Sequence, residues 1–383
     1  MFDEIAWLEQ AGNEVAHFST RHPGNDESPW ADLFAPYSEL GAPGTMGVGE
    51  RAVAAMRMFS NPEARNLFAT LLDRFKPDVV HMHGIHRQLS PSILVAATRR
   101  GVPVVQTLHD YHHVCPGDVL LRGGADICEP RACGGVWYGP AIRNRCVRGS
   151  LVASSLSAAE TSYQRVRRVY ESSVTRFVSP SEFLADIMRE GGWGIPCDVV
   201  PNAVAPVPLA TGGSNVLYAG RLSPEKGVHV LLEAARLADI QVVIAGEGPS
   251  EADLRRRYPE ANFQGRIDES AVQRLIAESL ACVVPSTCYE NAPMSVLEPM
   301  AAGVPVVASS IGGIPEILEH DVSGILVAPG DVNRLAAALS RLKSDCALRT
   351  RLGAAGRERV LTRFSPEEHL RRLLQSYAAA MSS

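Results

Sequence analysis

The sequence has few aromatic residues and no excess of basic ones. Phe, Trp and Tyr make up 6% of the 383 residues, and 42 Asp and Glu outnumber 37 Lys and Arg, which gives a net charge of −5. Proteins that hold nucleic acid usually present a positive field or aromatic side chains on which bases stack. We therefore expect no nucleic-acid partner.

The sequence also lacks a long apolar helix and an export signal. The apolar, uncharged stretch at residues 299–315 contains three prolines and three glycines, whereas a bilayer span needs about 20 mostly apolar residues in regular helix. The first four residues, MFDE, are acidic where a secretory signal is basic. These features predict a cytoplasmic protein whose eight cysteines are reduced thiols.

What the sequence does contain is a regular alternation of short apolar runs with longer amphipathic segments. Runs dense in Val and Ile are typical of parallel strands that are buried on both faces, and their alternation with helices indicates doubly wound α/β sheets. The predicted strands are residues 14–19, 78–83, 103–108, 175–179 and 198–201, then 215–219, 241–246, 281–285, 305–308 and 324–327. Helices are predicted at 89–99, 181–190, 228–237, 269–278, 331–343, 346–361 and 365–381.

The alternation breaks once, at residues 201–214. This segment has three prolines, two glycines and no charge, which is typical of an interdomain linker. We therefore predict an N-terminal domain over residues 1–203 and a second domain over 204–363. The remaining helix, 364–383, either stays with the second domain or returns to the first.

Two glycine-containing turns follow predicted strands of the second half. The first, AGRLSPEKG at 219–227, offers the guanidinium of Arg221 and the ammonium of Lys226 near a helix start, as a diphosphate site needs. It is not a Walker A loop, because Gly227 stands where Ser or Thr follows the lysine. By itself this segment is equally compatible with a surface turn, and so is GEGP at 246–249.

A third segment, PSTCYENAPMSVLEPMAAG at 285–303, has a more specific pattern. A strand ends, a loop carries Glu290, and a helix that begins near Pro293 carries Glu298. The early backbone N–H groups of such a helix attract anions, and the two carboxylates can contact two ends of one ligand. The position at a strand-to-helix junction favours a binding site over two solvated glutamates.

These segments, together with FQGRI at 263–267 and GVPVVASSIGGIPEI at 303–317, occur in an order and spacing that resemble the retaining GT-B-fold glycosyltransferases of family 4. The resemblance covers essentially the whole chain and is densest from 215 to 327. Within the family, the sequence resembles bacterial surface-polysaccharide glycosyltransferases. The resemblance implies two Rossmann-like doubly wound domains that face a cleft, with an acceptor side in the first and nucleotide-sugar binding in the second.

The resemblance also assigns roles to individual residues. Arg221 and Lys226 would neutralise the leaving diphosphate, Glu290 would contact the transferred sugar, and His109, in the TLHD segment at a strand end, would meet that sugar too. These four are the candidate catalytic residues. The remaining candidates would bind the donor: Glu298 at the ribose, Arg266 and Ile267 with Gly220, Gly246 and Gly248 around the base and phosphates, and the backbone of Asn291, Ala292, Pro293 and Met294 near the sugar.

Glycosyl transfer passes through an oxocarbenium-like state while a diphosphate departs. No Asp-x-Asp sequence is present, so the cations named above and helix N-termini are expected to stabilise the leaving group without a metal or other cofactor. The expected function is transfer, with retention, from a nucleoside-diphosphate sugar to a glycan or lipid-linked acceptor. The alternatives are a GT-B epimerase and a nucleotide-sugar-binding protein with impaired or no activity.

A cysteine cluster and a basic segment each have two possible interpretations. Cys115, Cys128, Cys133 and Cys146 form a cluster in which zinc binding and reduced loop thiols are both open. The basic segment at 163–170 either contacts anionic lipid, which would place the protein peripherally at the inner membrane face, or is a solvated helix face.

The start of the chain departs from the family pattern. Residues 1–10 resemble the helix that leads into the predicted strand 14–19, whereas family members begin earlier with a strand and a glycine-rich loop. We therefore expect the N-terminal sheet to lack its first strand.

Overall fold

The computed structural model describes residues 2–37, 47–128 and 132–383. The chain divides into two compact units, which are described separately. The first comprises Met1–Pro180, Leu184–Val200 and Leu370–Ser383, and the second comprises Ser181–Phe183 and Pro201–His369. The sequence placed the change of domain near residue 203, three residues later than this division, and the last helix contributes most of its length to the first unit.

Up to residue 200 the described chain forms seven helices and eight strands. They are α1 (Phe2–Gln10), β1 (Thr20–Arg21), β2 (Ala35–Pro36), α2 (Val48–Phe59), α3 (Pro62–Phe75), β3 (Val80–His83), α4 (Leu94–Thr98), β4 (Val104–Thr107), β5 (Leu121–Arg122), β6 (Asp126–Ile127), α5 (Gly139–Arg143), α6 (Leu151–Val166), β7 (Arg176–Ser179), α7 (Glu182–Glu190) and β8 (Cys197–Val199).

Beyond residue 200 the order is more regular. The elements are β9 (Asn215–Ala219), α8 (Val228–Ala238), β10 (Val242–Ala245), α9 (Glu251–Arg257), β11 (Asn262–Gly265), α10 (Glu269–Ala277), β12 (Ser279–Val284), α11 (Met294–Ala301), β13 (Val306–Ser309), α12 (Ile314–Ile317), β14 (Ile325–Val327), α13 (Val332–Ser344), α14 (Cys346–Arg363) and α15 (Pro366–Met381).

The first unit is built on a parallel sheet of four strands in the order β3-β4-β7-β8. All four residues of β4 are buried, because side chains cover both faces of a central parallel strand. Leu373 and Tyr377 of α15 pack with Val105 and Val178 of the sheet and with Leu8 of α1. The last helix of the chain is therefore part of the core of the first unit.

The second unit is built on a six-stranded parallel sheet in the order β11-β10-β9-β12-β13-β14. Its core includes Val216, Leu231 and Leu339, which are fully buried between the sheet and helices α8 and α13. Every connection between these parallel strands carries a helix or turn, so the loops that follow the strands meet at one edge. This edge carries the motifs of the second half.

Two strand predictions need correction. Residues 14–19 form no strand; Val15 packs against the core of the first unit and the ring of Phe18 lies 4.9 Å from that of Phe68, so side-chain packing rather than a hydrogen-bonded ladder holds this segment. The only pairing nearby in the described chain joins β1 to β2. Conversely, β11 was not predicted, because its alternating exposed and half-buried residues at the sheet edge contain no Val or Ile run.

Two helix predictions also need correction. The helix predicted at 89–99 is a 3₁₀ turn at Pro91–Ile93 followed by the short α4. The basic segment 163–170 is not a continuous helix either, since α6 ends at Val166 and Arg168 has a φ of 51°. Within the described ranges, no helix has the length and apolarity needed to cross a bilayer.

Arg165, in this basic segment, has a structural role. Its guanidinium donates hydrogen bonds to the carbonyl oxygens of Gly191 (3.1 Å) and Gly192 (2.8 Å), and lies 3.9 Å from the ring centroid of Trp193. It also pairs with Glu171 at 3.2 Å. One of the three arginines expected on a solvated or lipid-facing surface therefore points inward.

Candidate functional site

The loop after β9 is shaped by close backbone contacts with the loop after β10. A methyl group on Gly246, whose φ is +143°, would lie 1.9 Å from the carbonyl oxygen of Gly220, and one on Gly248 would lie 2.3 Å from that of Leu222. Hydrogen bonds from Leu222 N to Glu247 O (2.9 Å) and from Gly220 N to Ala245 O (2.9 Å) join the same loops. The structure thus brings together three candidate glycines because no side chain fits between these backbones.

Arg221 and Lys226 lie on this first loop in different surroundings. The guanidinium of Arg221 is exposed, and in the described part of the chain no carboxylate pairs with it. Lys226 is half-buried, and its Nζ lies 2.6 Å from Oε1 of Glu290. The loop therefore presents one unpaired cation and one cation that is already neutralised.

Glu290 is held from two sides at the end of the loop that follows β12. Besides Lys226, the hydroxyl of Ser286 donates to Oε1 at 2.5 Å. Burial lowers the pKa of Lys226, but the charge and hydrogen bond of Glu290 outweigh that effect and raise it. The ammonium thus stays charged at neutral pH and fixes the position of the carboxylate.

Gly227 brings the two loops into register. It has a φ of +67°, and a methyl group on it would lie 2.0 Å from the carbonyl oxygen of Pro285. Next to this contact, the N–H of Thr287 donates to the carbonyl of Glu225 at 2.8 Å. The residue that excludes a Walker A loop is therefore required here for close backbone packing.

Glu298 lies in the second turn of α11 and is partly buried. Burial first, and then the charge of Glu269, raises its pKa to about 7. The carboxyl group therefore changes charge near neutral pH, and hydrogen bonding to a ligand hydroxyl would shift that balance.

The loop at 290–294 is supported by a segment that sequence analysis treated only as part of a motif. A methyl group on Gly312 would lie 2.2 Å from the carbonyl oxygen of Glu290, and one on Gly313 would lie 1.9 Å from that of Asn291. The N–H of Gly313 also donates to Glu290 O at 2.8 Å. The double glycine after a predicted strand was the available signal for this contact.

Two further polar contacts position the same loop. The hydroxyl of Ser181 donates to Oδ1 of Asn291 at 2.7 Å, and Nδ2 of Asn202 donates to the carbonyl of Ala292 at 2.9 Å. Pro293 is the N-cap of α11, and Met294, its first residue, is exposed. Ser181, Asn202 and Ser286 were all missed, because a lone polar residue carries no pattern that marks it.

Arg266 and Ile267, predicted near the base, follow β11. Arg266 is highly exposed and lies 3.6 Å from Oε1 of Glu247, a long pair between solvated groups. Ile267 is partly buried against a small core that includes Ala219 and Ala245. Ile267 therefore packs at the same sheet edge as the glycine loops, and the exposed side chain of Arg266 is free to change its rotamer.

His109 lies in the first unit, two residues after β4. Its Nε2 lies 2.8 Å from Nδ1 of His83, with the rings stacked 5.1 Å apart. The protein atoms around its ring, and next the charge of His83, lower the pKa of His109 to about 4. It is therefore neutral near pH 7 and able to donate or accept a hydrogen bond.

Sequence analysis missed the polar network to which His109 belongs. Oε1 of Glu4 lies 3.4 Å from Nε2 of His83 and 3.3 Å from Nδ1 of His81. Because His81 and His83 are two apart on β3, they share a face, and this spacing in the segment VHMH was the available signal.

Glu4, His81 and His83 are also the one group in the described ranges whose three potential metal ligand atoms lie within 4.8 Å of one another. Both nitrogens of His81 already have neighbours, with Tyr377 Oη at 2.8 Å and Thr107 Oγ1 at 2.7 Å. Direct hydrogen bonding therefore accounts for the arrangement without an ion.

Two family models match nearly the whole chain. A glycosyl transferase 4-like domain matches residues 3–203, and glycosyl transferases group 1 match residues 202–359. The first match alone covers more than half of the chain.

Known proteins with similar sequences or structures agree with these matches. The chain is 35% identical over 181 residues to a protein named glycogen synthase from Mycobacterium tuberculosis, a match that covers 44% of this chain and 44% of that protein. The chain thus spans less than half the length of this curated relative.

Two solved structures share the fold. Sucrose-phosphate synthase from Thermosynechococcus elongatus superposes with a TM-score of 0.67 at 21% identity, over 99% of this chain and 92% of that one. HepE from Anabaena, solved in complex with UDP and glucose, gives 0.58 at 18% identity, over 82% and 81%. Together with the two parallel sheets, these matches show that the chain belongs to the group 1 glycosyl transferases of the family 4 type and has their GT-B fold of two Rossmann-like domains.

Proposed function

We propose that the protein transfers a sugar, with retention of anomeric configuration, from a nucleoside-diphosphate sugar to a glycan or lipid-linked acceptor. The observation that carries the proposal is the pair between Nζ of Lys226 and Oε1 of Glu290, 2.6 Å apart, with the exposed Arg221 on the same loop as Lys226. A diphosphate that leaves a sugar needs cations at one end, and the sugar hydroxyls need an acceptor at the other. This pair supplies both groups where two strand-to-helix junctions, the one after β9 and the one after β12, meet.

Each residue then has a chemical role. The phosphate oxygens interact with the cations of Arg221 and Lys226. The glycines at 220, 246 and 248 have no side chains and so leave room for the phosphate groups. Glu290 accepts hydrogen bonds from the transferred sugar, near the backbone of 291–294. Glu298 accepts from the ribose, and Arg266 and Ile267 border the base.

His109 is proposed to hydrogen-bond the transferred sugar in its neutral form. The sugar ring becomes positively charged in the transition state, and a neutral imidazole can hydrogen-bond a sugar hydroxyl without repelling that charge. The pKa of about 4 keeps His109 neutral near pH 7. His83, at 2.8 Å, orients the ring. In this scheme the acceptor attacks on the side from which the diphosphate departs, so no protein nucleophile is required.

We propose that no metal takes part in the transfer. Arg221 and Lys226 supply the positive charge that an Asp-x-Asp-bound cation supplies in other enzymes. Turnover should therefore not rise when Mg²⁺ or Mn²⁺ is added, and should not fall in the presence of EDTA. A strict requirement for an added divalent ion would contradict this part of the proposal.

The second unit is proposed to bind the donor, and the first to bind the acceptor. Support for a nucleotide-sugar donor comes from the fold neighbour HepE, whose structure holds UDP and glucose. A thermal-shift screen of UDP-, GDP- and ADP-sugars identifies the base. Release of nucleoside diphosphate is then measured with and without candidate acceptors.

The outcomes of this experiment separate the alternatives. Acceptor-dependent release, with the donor's anomeric configuration kept in the product as judged by NMR, supports transfer. Release without an acceptor, together with an isomerised sugar, would indicate an epimerase. Donor binding without any release would indicate a nucleotide-sugar-binding protein and would contradict the proposed enzyme.

A further inference from the structure

Four of the eight cysteines lie in one segment of the first unit, between β4 and α6. They are Cys115, Cys128, Cys133 and Cys146, and the spacings between successive members are 12, 4 and 12 residues. All eight cysteines fall in the described ranges, and none of them forms a disulfide. The transfer reaction proposed above uses none of these thiols.

Backbone hydrogen bonds connect the first two cysteines. Sγ of Cys115 accepts hydrogen bonds from the N–H groups of Gly117 and Leu120. The carbonyl of Leu120 in turn accepts from the N–H of Cys128 at 2.8 Å, at the open end of the β5–β6 hairpin. The hairpin therefore returns the chain to Cys115.

The other two cysteines are connected in the same way through one residue of α5. Sγ of Cys133 accepts a hydrogen bond from the N–H of Ala141, and the carbonyl of Ala141 accepts from the N–H of Cys146 at 3.0 Å. Ala141 is buried, so this connection is a fixed part of the fold.

The two pairs meet at Gly117. A methyl group placed on this glycine would lie 3.7 Å from Sγ of Cys115 and 3.6 Å from Cβ of Cys146. Gly117 thus lies between Cys115 of the first pair and Cys146 of the second.

The two histidines that precede Cys115 are held elsewhere: the buried ring of His113 packs against Tyr170 and Trp193, and His112 is held by carboxylates. Nδ1 of His112 lies 2.9 Å from Asp118 and its Nε2 lies 3.3 Å from the fully buried Glu160. Burial lowers the pKa of His112, but these two carboxylates outweigh it and raise the pKa to about 10. The donor set is therefore four sulfurs, which is the set that tetrahedral zinc prefers.

We propose that Cys115, Cys128, Cys133 and Cys146 bind one structural zinc ion that fixes the segment between β4 and α6. Zinc–sulfur bonds of about 2.3 Å place the sulfurs about 3.8 Å apart. In the described ranges no three cysteine sulfurs lie within 4.8 Å of one another, so binding draws them inward. Four thiols lose four protons, which leaves a site with a charge of −2.

The test is the metal content of the full-length protein, purified without chelator under reducing conditions. We expect about one zinc per chain in the wild type, little or none in Cys133→Ser, and an unchanged content in Cys346→Ser, which alters an exposed thiol on α14. Zinc well below one per chain in the wild type, even after incubation with zinc sulfate and removal of the excess, would overturn the proposal. So would equal loss in both variants.

A second measurement keeps the test valid if Cys133→Ser fails to fold. Cobalt(II) added to the metal-free wild type should produce sulfur-to-cobalt charge-transfer absorption and tetrahedral d–d bands, and it should release protons. The number of thiols that react with a thiol reagent should also rise when the metal is removed, while the buried Cys282 and Cys288 stay unreactive in both forms. Absence of the charge-transfer band, or the same number of reactive thiols with and without metal, would contradict zinc binding.

Discussion

The loops of the second unit and the histidine network of the first are built in opposite ways. In the second unit, Lys226 and Glu290 come from short motifs that follow neighbouring strands, and the loops that carry them pack through glycines. In the first, His109 contacts His83, and His83 contacts Glu4 of α1, so each partner comes from a distant part of the sequence.

The chemistry of the two regions also differs. The second unit holds charged groups that neutralise each other, which suits an anionic ligand. The first holds imidazoles whose pKa values fall to about 4: burial is the main cause for His83, and for the exposed His109 it is the nearby protein atoms and then the charge of His83. The same type of sheet therefore carries charged groups in one unit and neutral hydrogen-bonding groups in the other.

The largest expected effect comes from Lys226→Ala. Removal of the ammonium leaves the leaving phosphate without one cation and leaves Glu290 without its partner, so we expect turnover to fall about 100-fold or more. Steady-state release of nucleoside diphosphate measures it. Lys343→Ala is the matched control, because Lys343 is on the surface of the same unit near Asp239 and should leave turnover unchanged. Near-normal turnover of Lys226→Ala would remove the basis of the proposed mechanism.

The next effect tests the first unit. His109→Ala removes one hydrogen bond to the reacting sugar, and we expect kcat to fall about 10- to 100-fold, with a smaller change in the KM of the donor. His22→Ala, an exposed histidine of the same unit, serves as the control. If kcat is unchanged in His109→Ala, the histidine network has only a structural role.

Glu298→Gln should raise the KM of the donor about 10-fold, because a charge-assisted hydrogen bond to the ribose is lost. It should also change stability in a pH-dependent way. The pKa is raised from 4.5 to about 7, so the folded state keeps a proton that the unfolded state releases, and wild-type stability falls as pH rises through that window. Above pH 7 the variant should be more stable by about 2 kcal/mol, after allowance for partial exposure.

Urea unfolding of the wild type and of Glu298→Gln between pH 5 and 8 measures this difference. Glu278→Gln, an exposed glutamate that follows α10, should show neither effect. A difference in stability that does not grow from pH 5 to pH 8 would contradict the assigned pKa.

The smallest expected effect is that of His83→Gln in the first unit. Here stability falls as pH decreases, whereas for Glu298 it falls as pH increases. Burial, and next the charge of His81, lowers the pKa of His83 from 6.5 to about 4, so its contribution to stability is lost as pH falls from 6.5 towards 4. His83→Gln should therefore reduce the loss of stability between pH 7 and pH 5 by about 1 kcal/mol. Amide hydrogen exchange in β3 and β4 reports it, and His22→Gln should behave like the wild type.

The regular part of the fold could be predicted from sequence. β9 has the predicted bounds, and the strands of the second unit are dense in Val and Ile because both faces of the sheet are covered. The prediction was wrong at 14–19, where apolar residues pack by side chains without a ladder, and it missed β11, a polar edge strand. Both errors occur where a strand's neighbours, rather than its own residues, decide whether it forms.

In the candidate site, too, local sequence patterns and tertiary contacts carry different information. Gly220, Arg221, Lys226, Gly246 and Glu290 were proposed as site residues from local motifs and their spacing, and in the structure Gly227 packs the loop of Lys226 against the loop of Glu290. Ser181 and Asn202 could not be found, since a single hydrogen bond to a loop leaves no periodic trace in the sequence.

By itself, the sequence determined the class of sheet, a change of domain near residue 203, within three residues of the observed division, and the motifs that carry charge, because each depends on residues close together in the chain. Only the tertiary structure decided which carboxylate faces Lys226, that Arg165 points inward, and that Glu4, His83 and His109 lie in contact. Such contacts depend on how distant segments pack, and hydrophobic periodicity determines that a segment is buried without specifying its partner.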